Sequence, residues 1–195
     1  MKSRLFSIAL FSGLVIAPVL AADTSNWYPS SIALPNGMSY HCKLTPLPQS
    51  LKGIPEGDRV YINHAYAMIL RCAQAKTIMV EALKDKSKAR AGYSKYYYST
   101  KEALDKLRAE PTPKGLETFR NQVVKAVQLQ MSFFDKASAL SEKGASWGQL
   151  MAVPEGKQAS NLLFSAWAQM QSRYPAWDAG TKDSVYHHLC ALDLF

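Results

Sequence analysis

The chain lacks the short motifs that announce a chemistry. It has no Cys-x-x-Cys, no Cys-x-x-Cys-His, no Ser-x-x-Lys, no His-Glu-x-x-His and no phosphate-loop glycine pattern. The missing Cys-x-x-Cys-His excludes covalent c-type haem, and the others remove the familiar metalloprotease, penicillin-binding and nucleotide-binding signatures. Acidic residues are few, 15 against 23 basic ones, and scattered. No two of them stand out as the carboxylate pair that glycoside hydrolysis needs. Alternating Val/Ile/Thr runs are missing too, and Asn36-Gly37 lies among prolines rather than between apolar runs. Strands are therefore not expected. Asn26, Asn36, Asn63, Asn121 and Asn161 all lack the glycosylation sequon, which leans towards a bacterial periplasm. After residue 22 no stretch is long and apolar enough to span a bilayer, for which about 20 residues are needed.

The first 22 residues carry the clearest positive signal. Lys2 and Arg4 precede an apolar run from Leu5 to Val15, and Pro18, Val19, Leu20, Ala21 and Ala22 close it. This is the pattern of a secretory signal peptide. Cleavage after Ala21 places small residues at both peptidase positions, so residues 1–21 are expected to be removed and the protein to be periplasmic or secreted. Losing Lys2 and Arg4 lowers the formal charge from +8 to +6. A basic chain outside the cytoplasm favours an acidic protein or an anionic envelope component over nucleic acid. About 170 residues suffice for one domain with its own core.

Residues 22–57 hold Pro29, Pro35, Pro46, Pro48 and Pro55, a density that forbids a long helix, and read as an irregular arm. From Asp58, an expected N-cap, the pattern turns helical. Ile62, Ala65, Ile69, Cys72, Met79 and Leu83 recur at three- and four-residue spacing, interrupted by Lys76. This predicts a helix to about Arg90, a break at Gly92, and a second helix over Tyr93–Ala109 with Tyr93, Tyr97, Leu104 and Leu107 inward. Pro111 and Pro113 separate it from a third, about Lys114 to Lys143, stopped by Gly144. Ser146–Met151 reads as one turn, Lys157–Arg173 as a helix, and a last helix is capped by Thr181. The expected architecture is all-α: residues 58–195 form an antiparallel bundle of four to five helices, two of them long, preceded by the Pro-rich arm.

Three cysteines in an oxidising compartment suggest one disulfide and one spare thiol. Cys42 in the arm and Cys72 in the first long helix are the favoured pair, with Cys42–Cys190 the alternative. His41, His187 and His188 lie beside Cys42 and Cys190 and form a weak candidate site for copper or zinc. Adjacent helical histidines diverge by about 100°, however, which is poor for chelation. His64 and Met68 stand four apart, a spacing common by chance. Gly144-Ala-Ser146-Trp-Gly148 matches the nucleophile-elbow pattern of hydrolases, but that elbow must follow a buried strand, and the segment before it is the charged end of a helix. Ser146 reads better as a helix cap.

The remaining feature is basic and aromatic. Lys84, Lys86, Lys88, Arg90 and Lys95 crowd together with Tyr93, Tyr96, Tyr97 and Tyr98. Tyrosines offer contact area at low entropic cost and cations steer acidic partners, so Lys84, Lys86, Lys88, Arg90, Tyr93, Lys95, Tyr96 and Tyr98 form a candidate partner-binding surface. The consecutive tyrosines cannot all turn inward, so Tyr96 or Tyr98 is expected on the outside. Together these observations favour an exported, non-enzymatic binding protein, for instance an inhibitor or immunity-type protein, with no cofactor. Metal handling is the alternative, and a hydrolase using Ser146 comes third.

Overall fold

The computed structural model describes residues 44–194. The expected signal peptide and residues 22–43, with His41 and Cys42, lie outside the described residues. Six helices follow one another: α1 (Glu56–Ala82), α2 (Ala89–Ala109), α3 (Glu117–Glu142), α4 (Trp147–Met151), α5 (Pro154–Arg173) and α6 (Ala179–Leu192). No strand occurs among the described residues. The two longest are α1 and α3, with 27 and 26 residues.

Side-chain pairs fix the antiparallel order. His64 near the start of α1 meets Glu110 at the end of α2. Arg90 at the start of α2 pairs with Asp135 far along α3 at 2.9 Å. Lys136 of α3 pairs with Glu155 at the start of α5. α1 packs chiefly on α2 and α3 on α5, while α6 closes against α1 and α5.

The first long helix ends eight residues earlier than its periodicity suggests. In the turn after Ala82, Asp85 Oδ1 accepts hydrogen bonds from the Ser87 amide at 2.9 Å and hydroxyl at 2.6 Å. A short polar side chain bonding its own backbone competes with helix continuation. Gly92 is not a break but lies inside α2. A Cβ there would sit 2.3 Å from Ala82 Cβ, so glycine sets how closely α1 and α2 approach. That contact rotates α2 relative to expectation. Its buried row is Ala89, Gly92, Tyr96, Thr100, Ala103, Leu104 and Leu107, and Tyr93 and Tyr97 are only half-buried.

Local signals elsewhere act as read. α3 ends in a Schellman motif, with Gly144 at φ +79°. The Ala145 amide donates to Leu140 O at 3.1 Å and the Gly144 amide to Ser141 O at 2.9 Å. Two caps differ from expectation. Asp178, not Thr181, caps α6: its carboxylate accepts from the Thr181 amide and hydroxyl, both at 2.9 Å. Asp58 does not cap α1, which starts behind Pro55. It is buried and accepts instead from Tyr174 Oη at 2.6 Å and Arg173 Nη2 at 2.9 Å.

The described end of the arm is held to the bundle. Leu47 is buried, and its amide and carbonyl bond Asn63 Oδ1 at 2.7 Å and Nδ2 at 3.0 Å. The Ser184 hydroxyl donates to Thr45 O at 3.0 Å. Lys76, which interrupts the apolar series of α1, is buried with a purpose. Its ammonium donates to Ala191 O at 2.7 Å and to Asp193 O, and Gln130 Nε2 donates to Leu192 O at 2.7 Å. Together they satisfy the last carbonyls of α6, where a cation also meets the negative end of the helix dipole. Burial lowers the Lys76 pKa to about 8.

Candidate functional site

The turn between α1 and α2 and the turn between α3 and α4 lie at one end of the bundle. The Ser141 hydroxyl donates to Leu83 O at 3.2 Å and ties them. Beneath them, Leu83, Phe133, Phe134, Leu150 and Val153 belong to one apolar cluster. This base fixes what the end displays. Lys84, Lys86 and Lys88 stand out from the first turn and Lys143 from the second, all exposed. Two apolar side chains near this end are open to solvent, Trp147 at 47% and Ile78 at 50% of full exposure. Lys84 borders two adjacent hollows, one lined by Ile78, Ala82 and Asp85, the other by Leu83, Ala145 and Trp147.

The cations of this end are partly matched by carboxylates. Lys84 Nζ lies 2.6 Å from Glu81, Lys88 Nζ 3.0 Å from Asp85, and Arg90 pairs with Asp135. Lys86 and Lys95 have no ion pair among the described residues. Hydrogen bonding from the Ser87 side chain, then from Lys88, holds the Asp85 carboxyl down to about 2. Solvent-exposed pairs of this kind contribute at most about 1 kcal/mol each, so a partner's anionic groups can take over the lysines at little cost.

The structure divides the tyrosines of the expected surface. Tyr98 is 72% exposed. Tyr93 is half-buried beneath the Arg90 guanidinium, which lies 5.3 Å from its ring centre. Tyr96 is not a surface residue. It is 2% exposed and packs edge-on against Phe134 at 4.7 Å, because it follows Gly92 by four residues on the buried row. Of the expected surface residues, Lys84, Lys86, Lys88, Arg90, Lys95 and Tyr98 are exposed and Tyr93 is half-buried, and the exposed Ile78 and Trp147 share hollows with Lys84. Trp147 comes from a segment about sixty residues away, so no local pattern could have joined it to the lysines, whereas Ile78 lies about one and a half turns before Lys84 and its neighbourhood is local.

The other candidates take different places. Ser146 caps α4 in a capping box: its hydroxyl accepts from the Gln149 amide at 3.4 Å, and its own amide donates to Gln149 Oε1 at 2.8 Å. The element before it is α3, so the strand an elbow requires is not there. His188 is fully buried, stacked on Tyr66 with ring centres 3.8 Å apart, and its Nδ1–H donates to Ser184 O at 2.7 Å. His187 lies on another face of α6, half-buried beside Tyr186. The two histidines diverge, and among the described residues no three His, Cys, Asp or Glu side chains stand together as a metal site would require. His64 is engaged with Glu110, whose carboxyl burial raises, and Met68 is buried in the core.

Sequence reading also missed a second apolar surface, between α5 and α6. Phe164 is 52% exposed, and Trp167 and Tyr186 lie beside it with ring centres 5.4 Å apart. With Leu163, Leu189 and Cys190 they line a small hollow. Phe164 and Trp167 stand three apart on a helix whose inner row is Leu163, Ala166 and Met170, so they fall outside that row.

No family model, curated protein or solved structure matches the chain. Among the described residues, no helix is long and apolar enough to cross a membrane. The fold defines an all-helical bundle, and the functional reading rests on its surfaces.

Proposed function

We propose that the chain is an exported helical protein that acts by binding, in the manner of an inhibitor or immunity-type protein. Its basic, aromatic end engages an anionic partner, either an acidic protein or a component of the cell envelope. The observation that carries this reading is that Lys84 borders both the hollow of the exposed Ile78, which it shares with Lys88, and the hollow of the exposed Trp147, with Lys86 and Lys143 exposed in the same two turns. Exposed apolar side chains beside lysines offer what a recognition surface needs: an anchor that gains by leaving water, and charges that steer encounter and reject like-charged competitors. The amino-terminal signal pattern supports the compartment.

The test is capture from an envelope extract by the mature protein and by a variant with Lys84, Lys86, Lys88 and Arg90 reversed to glutamate. All four side chains are exposed, but Lys84, Lys88 and Arg90 lose ion pairs worth at most about 1 kcal/mol each, so the variant is expected to keep its helicity with a lowered Tm, and capture is compared well below that Tm. Capture is expected to fall by about tenfold or more in the variant, and wild-type capture to weaken between roughly 50 and 300 mM salt as screening shortens the reach of the charges. Equal capture by both proteins at low salt would remove this end as the binding surface.

A further inference from the structure

Helix α5 runs for fifteen residues, from Gln158 to Ser172, without an acidic or basic side chain, and α6 runs for nine, from Ser184 to Leu192, without Asp, Glu, Lys or Arg. The exposed residues of that stretch of α5 are Gln158, Asn161, Phe164, Ser165, Ala168 and Ser172. The exposed rows of α2 and α3 differ: α2 shows Lys101 and Asp105 to solvent, and α3 shows Lys125 and Asp135. The uncharged row adjoins the hollow between α5 and α6, where Phe164 is half exposed and Trp167 stands beside Tyr186. Asp193 is the one carboxylate in that lining, and it accepts from the Ser160 hydroxyl and, at 2.7 Å, from the Leu194 amide. The face is therefore apolar and nearly neutral, on a chain whose formal charge without residues 1–21 is +6.

Neutrality on a basic chain narrows the occupant. An anionic partner or membrane gains nothing from a face without cations, and a cationic partner gains nothing from one whose only carboxylate is already engaged. The occupant must present an uncharged apolar face of its own, and a second copy of this chain carries one. In a two-fold contact each patch meets its own counterpart, so the charged faces of a basic chain repel, whereas this one sets no like charges opposite each other. We propose that two copies of the chain associate through the α5–α6 face, with Phe164, Trp167 and Tyr186 of each covered by the other. Ser165 and Ala168, small and on the same exposed row as Phe164, leave room for the second helix to approach. Fifteen residues of helix span about 22 Å, and two helices side by side are about 20 Å wide. Each copy then contributes roughly 450 Å², the size of a reversible contact rather than a permanent one. The lysine turns take no part in it.

The test is sedimentation equilibrium of the mature chain from about 5 µM to about 1 mM, with circular dichroism as the check on folding. The expected result is a reversible rise from the mass of one chain to that of two. Phe164→Lys and Ala168→Lys are each expected to weaken association by about tenfold or more, because a two-fold contact meets each new charge twice. Both positions are exposed, so melting is expected to change little. Ala168→Lys removes no ring and reads the added charge alone. Trp147→Lys, on the lysine surface, is expected to leave association unchanged. Cys190→Ser, in the lining of the hollow, is expected to associate as well, which excludes a disulfide as the link. Because the two copies share one sign of charge, salt is expected to strengthen association severalfold between roughly 50 and 300 mM, the reverse of its effect on capture by the lysines. The mass of one chain over the whole range would overturn the proposal. So would association that survives both lysine substitutions on α5, that is lost in Trp147→Lys or Cys190→Ser, or that weakens with salt.

Discussion

Replacing Asp58 by alanine is expected to destabilise the protein by about 3 kcal/mol, a fall in Tm of roughly 6–12 °C for a chain of this size. The carboxylate is buried in the first turn of α1 and accepts from Tyr174 Oη at 2.6 Å and Arg173 Nη2 at 2.9 Å. Arg173 reaches onward to Lys114 O at 2.9 Å, and its guanidinium occupies the space that a Cβ on Gly115 would fill. One acid therefore ties the start of α1, the loop between α2 and α3, and the end of α5. Burial, then the Asp58 carboxylate, raises the Tyr174 phenol above its ordinary range, so it remains a donor at any pH at which the protein is folded. Alanine leaves the phenol and the guanidinium facing an empty acceptor site. The Arg173 side chain keeps 29% exposure, which places the expected loss at the lower end of the range for broken buried pairs. Tyr174→Phe removes only the neutral donor and is expected to cost about 1–2 kcal/mol. Urea unfolding monitored by helical circular dichroism reads both. A loss below about 1 kcal/mol for Asp58→Ala would show that this carboxylate does not join the three segments.

Acid is expected to cost a further amount of similar size through one residue. His188 is sealed between Tyr66 and the Ser184 carbonyl, and burial lowers its pKa from 6.5 to about 4. Below pH 6.5 the unfolded chain takes up a proton on this imidazole that the folded protein refuses. Stability is therefore fully present above about pH 6.5, falls as the pH drops towards 4, and levels there, for a total of about 3 kcal/mol. Carboxylates elsewhere add their own slopes, so the decisive comparison is with His188→Gln. The difference between the two proteins' unfolding free energies is expected to change with pH only between about 4 and 6.5. A difference that stays flat across that window would mean that His188 is charged or accessible in the fold.

What could be read in advance was local. Pro111 and Pro113 separate α2 from α3, and Lys143-Gly144 ends α3, because proline and left-handed glycine act on the backbone where they stand. Ser146 reads as a cap for the same reason: its partner Gln149 is three residues away. The errors arose where tertiary contacts decide. The apolar spacing around Leu83 continues smoothly, yet the Asp85–Ser87 turn and the close passage of Gly92 over Ala82 end the helix early. The same passage sets the buried row that turns Tyr96 inward and leaves Tyr98 outside. Asp58 looked like a cap because its partners lie more than a hundred residues away. The lysines of the candidate surface were visible as a run. Trp147 joins them only when two turns are brought to the same end of the bundle.

That end is the central claim, and the α5–α6 surface around Phe164 is its rival. The measurement that separates them most directly is photo-crosslinking in exporting cells, with a benzophenone amino acid placed at position 147 in one protein and at position 164 in another. Both sites are about half exposed, so both probes are equally available to a partner. A discrete adduct from position 147 that disappears on reversal of Lys84, Lys86 and Lys88, with none from position 164 except to a second copy of the chain, is the predicted result. An adduct to a different protein from position 164 and none from position 147 would contradict the account and move the binding surface to the other side of the bundle.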